Sequence, residues 1–325
     1  MTSSQRTPAP RALILAGPKG SGRMTFARSF FGVFIAGCSL VLVMTGCTSI
    51  VERENPMTRY HTVFDHARGR LVSSGTAEIY VEEIGNPTAP VLLMLHGGFG
   101  TIKDFNGITP ALARHFRLIG LDSRGHGRSS LGSEKLSYKV LENDLAAVIQ
   151  ALDLREFSLF GFSDGGVVAY RYAARKDPRL QKVVTVGASW EMNEKEPCWE
   201  MICGMTGQRW KDMFPASYEA YMRLNPKPDY DKFAASVIGM WTDLSTDGHP
   251  DERMREIDAE MLIIRGDNDF LTNLASFARL KGLVPKVHLL NIPFAEHAAF
   301  DESPDIVLHA LMQFMGVDAI PSTGG

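Results

Sequence analysis

The stretch SLFGFSDGGVVAYRYAA, residues 158–174, joins a short apolar run to a helical pattern through a serine that stands between glycines. The apolar run predicts a buried strand, and the apolar spacing after Asp164 predicts a helix. Residues 161–165, GFSDG, fit the pattern G-x-S-x-G, in which a tight strand-to-helix turn exposes the serine hydroxyl. A glycine-rich turn without chemistry is the alternative. The pattern makes Ser163 a candidate nucleophile.

Strand-like runs recur on both sides of this stretch, with helical runs between them. Four runs are apolar without polar alternation: PVLLMLHGG (90–98), FRLIGLDSRG (116–125), LQKVVTVGAS (180–189) and EMLIIRGDND (260–269). The run AEIYVEEIG (77–85) instead alternates as an edge strand does. Continuous apolar strands separated by helices are typical of a mostly parallel sheet with helices on both faces, so we predict an α/β fold. Such sheets bind ligands beyond the carboxyl ends of their strands.

The alternation of strands and helices stops in residues 190–255. This segment contains all four tryptophans and five prolines, and it indicates an inserted helical lobe. We therefore predict a core of residues 76–189 and 256–316 around this helical lobe. Residues 47–75 are predicted to be a tether, and residues 317–325 a tail.

The composition limits the classes of protein to which this chain can belong. With 325 residues, of which 45% are hydrophobic, the chain can bury a sizeable core. The 34 Lys and Arg nearly balance the 37 Asp and Glu, which argues against a nucleic-acid partner. No cofactor is predicted, because residues 12–25 resemble a phosphate loop but carry Arg23 and Met24 where its Lys and Ser or Thr belong. No metal site is predicted, because Cys198 and Cys203 have no further ligands at zinc spacing.

Residues 1–46 have the parts of an export signal. Basic residues precede an apolar run over residues 30–44, which is short for a membrane span, and small residues follow it up to Cys47. The letters MTGC (44–47) resemble the lipobox of bacterial lipoproteins, which implies that Cys47 carries a lipid anchor in the cell envelope, facing the periplasm. An uncleaved membrane helix is the alternative, and either Met1 or Met24 can be the start.

A serine nucleophile needs a base and an acid that orients the base, and the chain supplies both after later strands. Asp267 and Asp269 follow the run ending at residue 266, and His297 follows the run KVHLLNI (286–292). The order Ser, Asp, His is the one expected after G-x-S-x-G. The segment HGGFG (96–100) can supply one backbone N–H to an oxyanion, and Asp164 the other. His96 and His126 also follow strand ends but precede the serine.

Five motifs in this order resemble the α/β-hydrolase superfamily, over about residues 77–315: HGGFG (96–100), LDSRGHGRSS (121–130), GFSDGG (161–166), RGDNDF (265–270) and EHAAF (296–300). The resemblance implies Ser163 as nucleophile and His297 as base. It implies Asp269 as the acid, with Asp267 as the fallback. It implies Gly98 as the second oxyanion donor, with Phe99 next, and it makes the helical lobe the family's cap.

Within the superfamily, residues 159–188 look most like the valacyclovir-hydrolase-like esterases, which hydrolyse amino-acid esters and have an aspartate after the serine. That resemblance implies that Asp164 pairs with a substrate ammonium. The alternative is that Asp164 bonds to backbone amides of the turn or of the helix that follows. Trp190, where the helical lobe begins, is a second candidate for substrate binding.

These features predict a serine hydrolase that cleaves a small or medium carboxylic ester through an acyl-enzyme. Amide, lactone or carbon–carbon bond hydrolysis and cofactor-free peroxidation use similar residues and stay open. A non-catalytic envelope protein that binds through the helical lobe is the alternative of another class. The sequence leaves the oligomeric state open.

Overall fold

The computed structural model describes residues 60–317, and an eight-stranded sheet runs through them. The strands are β1 (Arg70–Ser74), β2 (Ala77–Gly85), β3 (Val91–Leu95), β4 (Arg117–Leu121), β5 (Phe157–Phe162), β6 (Leu180–Val186), β7 (Glu260–Gly266) and β8 (Val287–Ile292). Their order in the sheet is β1-β2-β4-β3-β5-β6-β7-β8. The strands from β4 to β8 pair in parallel, whereas β2 is antiparallel to both of its neighbours. The predicted α/β fold with a mostly parallel sheet is confirmed.

Helices cover both faces of this sheet. In chain order they are α1 (Thr109–Leu112), α2 (Tyr138–Ala151), α3 (Asp164–Ala173), α4 (Trp199–Cys203), α5 (Gly207–Met213), α6 (Pro215–Leu224), α7 (Tyr230–Trp241), α8 (Leu274–Leu283), α9 (Ala299–Glu302) and α10 (Pro304–Met315). Side chains of β3 alternate between two hydrophobic clusters. Leu93 and Leu95 pack with α2 and α3, while Leu92 and Met94 pack with α1 and α10. Burial on both faces explains why the strand sequences lack polar alternation.

The helices α4 to α7 form the helical lobe between β6 and β7. Its aromatic side chains pack against the segment that follows β3, through Phe99, which lies 4.3 Å from Trp210 and 5.2 Å from Phe233 between ring centroids. The lobe therefore lies over the carboxyl ends of the parallel strands, where the candidate site residues are found.

The sheet begins earlier in the chain than the sequence predicted. Strand β1 lies inside the predicted tether of residues 47–75, and it pairs with β2, so the predicted edge strand 77–85 is second in the sheet. Phe64 and His66 are also buried, and the backbone amides of residues 65 and 66 donate to the buried Glu82. The tether boundary is thus wrong, because strand β1 and the buried Phe64 and His66 lie inside the predicted tether. None of the helices within residues 60–317 has the length and apolar character needed to cross a membrane.

Candidate active site

The turn between β5 and α3 carries Ser163 in a strained conformation. Its φ of 51° and ψ of −118° lie in a region that side chains disfavour, so the surrounding packing must hold it there. A Cβ added at Gly165 would lie 2.1 Å from the carbonyl oxygen of Leu95, and one at Gly161 would lie 2.5 Å from that of Gly165. Only glycine fits at these two positions. The G-x-S-x-G letters therefore produce the sharp turn that exposes the serine hydroxyl.

His297 lies beyond the end of β8 and contacts Ser163 directly. Its Nε2 is 3.0 Å from the Ser163 Oγ, and its Nδ1 is 3.1 Å from each carboxylate oxygen of Asp269. Because a carboxylate can only accept, Nδ1 carries the proton and Nε2 is free to accept from the serine hydroxyl. Phe162 packs against the imidazole at a centroid distance of 5.0 Å. The structure thus brings together Ser163, His297 and Asp269 in a hydrogen-bonded chain.

Asp269 and Asp267 have different surroundings. Asp269 is buried in the loop after β7, and besides His297 it accepts from the Leu271 amide at 2.9 Å and the Thr272 hydroxyl at 2.7 Å. Burial alone would raise the pKa of Asp269, but the attraction to His297 and these hydrogen bonds hold it below its usual range. Asp267 is exposed and bonds instead to the Asn291 side chain. The fallback acid is therefore turned away from the imidazole.

The pKa of His297 is raised above its usual value. Burial lowers this pKa, but the charge and hydrogen bond of Asp269 outweigh burial and favour the imidazolium. An imidazole with this environment can take a proton from Ser163 and hold it next to the buried carboxylate. That is the arrangement in which a serine hydroxyl becomes a nucleophile.

Two backbone amides beside Ser163 are available to an anion. Within residues 60–317, neither the Gly98 N–H nor the Asp164 N–H has a hydrogen-bond acceptor. A Cβ at the neighbouring Gly97 would lie 3.1 Å from the Ser163 Cβ, so the segment after β3 runs directly past the serine. The Phe99 amide, the other predicted donor, is instead committed to His126 Nε2 at 3.0 Å. Gly98 and Asp164 therefore remain the candidate oxyanion donors.

The carboxylate of Asp164 has partners that neither interpretation from the sequence included. It is buried, and it accepts from the Tyr138 hydroxyl at 2.8 Å and from the Trp241 indole N–H at 2.9 and 3.0 Å. Burial raises the pKa of Asp164, although the two hydrogen bonds oppose this shift. The interpretation with backbone amides as partners is wrong, because both donors are side chains. The sequence offered no signal for Tyr138 or Trp241, because neither is local to the turn.

Trp190, the other predicted substrate-binding residue, is held away from solvent. It is buried, its indole N–H donates to the Ser276 carbonyl at 3.1 Å, and the Arg279 guanidinium lies 5.6 Å from the ring centroid. These contacts join the start of the helical lobe to α8. They give Trp190 a packing role.

His96 and His126 fix the segments on either side of the site. His96 accepts from the Ser123 amide at 2.9 Å through Nε2, and its Nδ1 is 2.7 Å from the Gly97 carbonyl. His126 has the same arrangement, with Nδ1 3.0 Å from the Arg124 carbonyl. Burial lowers the pKa of His126 to about 3, so this ring is neutral. Neither histidine is bonded to Ser163.

Cys198 and Cys203 take no part in the hydrogen bonds among Ser163, His297 and Asp269, although the Cys198 thiol lies 3.7 Å from the carbonyl of Leu271, whose amide bonds to Asp269. Cys198 and Cys203 are both free thiols, one buried and one exposed, and burial raises the pKa of Cys198 to about 11. Cys47 and the predicted export segment lie outside the described residues.

Known proteins resemble this chain in sequence and in fold. A family model described as alpha/beta hydrolase fold matches residues 90–201. An AB hydrolase superfamily protein of Bacillus subtilis is 29% identical over 73% of this chain and 94% of its own length. A 2-(acetamidomethylene)succinate hydrolase of Mesorhizobium japonicum is 24% identical over 77% of this chain and 96% of its own. Among solved structures, a bacterial membrane phospholipase A superimposes with a TM-score of 0.66 at 19% identity, covering 77% of this chain and 87% of its own.

Proposed function

We propose that this chain, which belongs to the α/β-hydrolase superfamily, is a serine hydrolase that cleaves a carboxylic ester through an acyl-enzyme on Ser163. The observation that carries the proposal is the hydrogen-bonded chain from Ser163 Oγ through His297 to Asp269, at 3.0 and 3.1 Å. The two free amides of Gly98 and Asp164 beside the serine support it.

In the first half of the reaction, His297 Nε2 takes the hydroxyl proton while Ser163 Oγ attacks the ester carbonyl carbon. The resulting oxyanion accepts from the Gly98 and Asp164 amides, which are already positioned and need no reorganisation. The imidazolium that forms is stabilised by the buried Asp269. His297 then gives its proton to the leaving alkoxide, and the acyl group stays on the serine.

In the second half, a water molecule takes the place of the alcohol. His297 removes its proton, the water attacks the acyl carbonyl, and the same two amides hold the second oxyanion. The proton returns to Ser163 as the bond to the acid product breaks. The chemistry needs only groups of this chain and water.

We propose a substrate that does not need a free amine. The amino-acid esters implied by the sequence resemblance would place an ammonium on Asp164. Both oxygens of this carboxylate already accept hydrogen bonds, from Tyr138 and Trp241, and the residue is 8% exposed. An ammonium at this carboxylate would compete with Tyr138 and Trp241 for its oxygens, in a site that is almost closed to solvent.

The test of the activity is hydrolysis of a short-chain aryl ester together with labelling by a fluorophosphonate. The Ser163→Ala variant is expected to lose both, with turnover lower by at least about 10³-fold. Ser236→Ala is the matched control, because among residues 60–317 the Ser236 hydroxyl bonds only to the Lys232 carbonyl of its own helix, at 2.8 Å. Labelling that persists in Ser163→Ala would rule out Ser163 as the nucleophile.

We also propose that the mature protein begins at Cys47 and is held in the bacterial envelope by a lipid on this residue, on the strength of the apolar run 30–44 and the letters MTGC. Mass spectrometry of the mature N-terminus tests this proposal independently of activity. A mature chain that retains residues 1–46 would contradict it.

A further inference from the structure

A hydrogen bond from the helical lobe holds the backbone of Phe99, the residue after Gly98. Its carbonyl accepts from the Ser217 hydroxyl of α6 at 2.8 Å, while its amide donates to His126 in the core. Phe99 has a φ of 57°, an unfavourable value for a side chain that large, so its conformation depends on such contacts. The bonded Phe99 carbonyl belongs to the second peptide group after the one that carries the Gly98 N–H, so the lobe holds the chain close to this donor.

The ring of Phe99 is also enclosed by the helical lobe. It stacks on Trp210 of α5 with an interplanar angle of 19°, and it meets the edge of Trp241 at a centroid distance of 5.6 Å. Phe99 is 6% exposed. A movement of the lobe away from the core would remove both the hydrogen bond to the carbonyl and the packing of the ring.

The second oxyanion residue has its own bond to the helical lobe. Trp241, at the end of α7, donates to the carboxylate of Asp164, whose backbone N–H is the other candidate donor. Tyr138 of α2 donates to the same carboxylate from the core. Asp164, like Phe99, is therefore hydrogen-bonded to both the helical lobe and the core.

The two oxyanion residues, Gly98 and Asp164, lie next to each other and to Trp241. A Cβ added at Gly98 would lie 2.6 Å from the Asp164 Oδ2 and 2.7 Å from the Trp241 ring, so the two oxyanion residues and the tryptophan are in contact. The helical lobe also bonds to the core elsewhere, through the Asn225 side chain to the Gly125 and Ser129 carbonyls at 3.0 Å. The contacts of Ser217 and Trp241 differ, because they go to the residue after one oxyanion donor and to the side chain of the other.

We propose that the helical lobe positions the oxyanion hole, with Ser217 and Trp241 as positioning residues for the Gly98 and Asp164 amides. The inference rests on the proposed ester hydrolysis and adds a condition to it. The hole is complete only while the lobe is seated on Phe99 and Asp164.

The variants Ser217→Ala and Trp241→Phe test the inference by three measurements on the full chain: kcat and KM for a neutral aryl ester, and the Kd of an arylboronic acid. The boronic acid adds to Ser163 as a tetrahedral anion, so its affinity reports the oxyanion hole directly. We expect each variant to lower kcat by about tenfold and to weaken boronic acid binding by a similar factor, with KM changed by less than about twofold. Ser217→Thr, which keeps the hydroxyl, is expected to restore kcat.

Two controls separate positioning from general stability. Ser236→Ala removes a comparable serine-to-carbonyl bond within the helical lobe and is expected to leave kcat and the boronic acid Kd unchanged. Tyr138→Phe removes the donor to Asp164 that comes from the core, and we expect a smaller loss of kcat than in Trp241→Phe. An equal loss in Tyr138→Phe would assign the effect to the Asp164 charge and overturn the role of the lobe.

The outcomes also separate this inference from the proposed function. If the wild-type protein neither hydrolyses the ester nor is labelled by the fluorophosphonate, both proposals fail. If the wild type does both, and Ser217→Ala and Trp241→Phe keep its kcat and its boronic acid affinity, only the positioning role fails.

Discussion

The hydroxyl of Thr272 donates to Asp269 Oδ2 at 2.7 Å, on the same carboxylate that holds His297. Thr272 is buried, and it gives Asp269 a second side-chain donor besides the imidazole. A buried carboxylate that loses one donor is less stable as an anion and less firmly oriented. Thr272 thereby links the loop after β7 to the reactivity of Ser163.

Replacement of Thr272 by Val, which has nearly the same shape, removes this donor. We expect kcat/KM for an aryl ester to fall by about tenfold, because a buried charged group loses a hydrogen bond that contributes about 1 to 3 kcal/mol. Thr272→Ser keeps the hydroxyl and is the matched control, expected to stay within about twofold of wild type. Equal activities in the Val and Ser variants would show that the hydroxyl has no part in orienting the acid.

The pH dependence of kcat/KM follows from the direction of the His297 pKa shift. The imidazole must be neutral to accept the serine proton, and its pKa in the folded protein is raised above 6.5 by Asp269 in spite of burial. We therefore expect kcat/KM to rise with pH with a midpoint above 6.5. Asp269→Asn, which removes the charge, is expected to lower both kcat and this midpoint. A wild-type midpoint well below 6.5 would contradict the assignment of His297 as base.

Gly98 has no room for a side chain. An added Cβ would lie 2.6 Å from Asp164 Oδ2 and 2.7 Å from the Trp241 ring, so Gly98→Ala must shift its own backbone, the Asp164 carboxylate or the Trp241 ring. We expect kcat to fall by about 10²-fold, a loss comparable to removal of one oxyanion donor. Gly239→Ala is the control: Gly239 lies in α7, and within residues 60–317 no atom beyond its chain neighbours and the adjoining helix backbone comes within 4 Å of its added Cβ. This control should keep its activity and gain up to about 1 kcal/mol in stability.

The buried His249, which packs against Tyr138, makes the stability of the folded protein depend on pH. Its ring meets the Tyr138 ring at 4.9 Å, and burial, followed by the charge of Arg171, lowers its pKa to about 3. The folded protein therefore resists protonation of this ring, whereas the unfolded chain takes up a proton below about pH 6.5. Stability is lost as the pH falls from about 6.5 toward 3, by about 1.4 kcal/mol per pH unit for this group.

Replacement of His249 by Phe should keep the contact with Tyr138 and remove the proton uptake of the unfolded chain. We expect the free energy of unfolding of His249→Phe to decline less steeply below pH 6 than that of wild type, with similar m-values. Urea unfolding at pH 7.5 and pH 4.5 measures the difference. Parallel declines in the two proteins would mean that His249 is not neutral in the folded state.

The predictions from sequence succeeded where the signal is local. The continuous apolar runs revealed β3 to β7, because burial on both faces removes polar alternation. The turn at Ser163 follows from glycines that are needed for close backbone contacts. Strand β1 was missed, because RLVSS is short and only Val72 and Ser74 face the core. Nothing in so short and polar a run distinguishes it from a loop.

The surroundings of Asp164 depended on tertiary structure. Its donors are 26 and 77 residues away in the chain, so their approach depends on how α2 and α7 pack. A first-turn aspartate commonly bonds to nearby backbone amides. Asp164 instead accepts hydrogen bonds from two side-chain donors in a buried site. The sequence alone could not decide whether the Phe99 amide is an oxyanion donor. That depends on tertiary structure, because in the folded protein the amide donates to the His126 ring.

The commitment of Asp164 to Tyr138 and Trp241 leads to a prediction about substrate charge. An aryl ester of an amino acid and its analogue without the amine should differ in kcat/KM by less than about threefold, because the Asp164 carboxylate is buried and both of its oxygens already accept hydrogen bonds. Asp164→Asn places an amide where an oxygen now accepts from Trp241, so it should lower kcat/KM for both esters alike. The comparison needs the four kcat/KM values at a pH where the amine is charged. A preference of more than about tenfold for the amine, lost in Asp164→Asn, would show instead that substrate displaces Trp241 and binds the carboxylate.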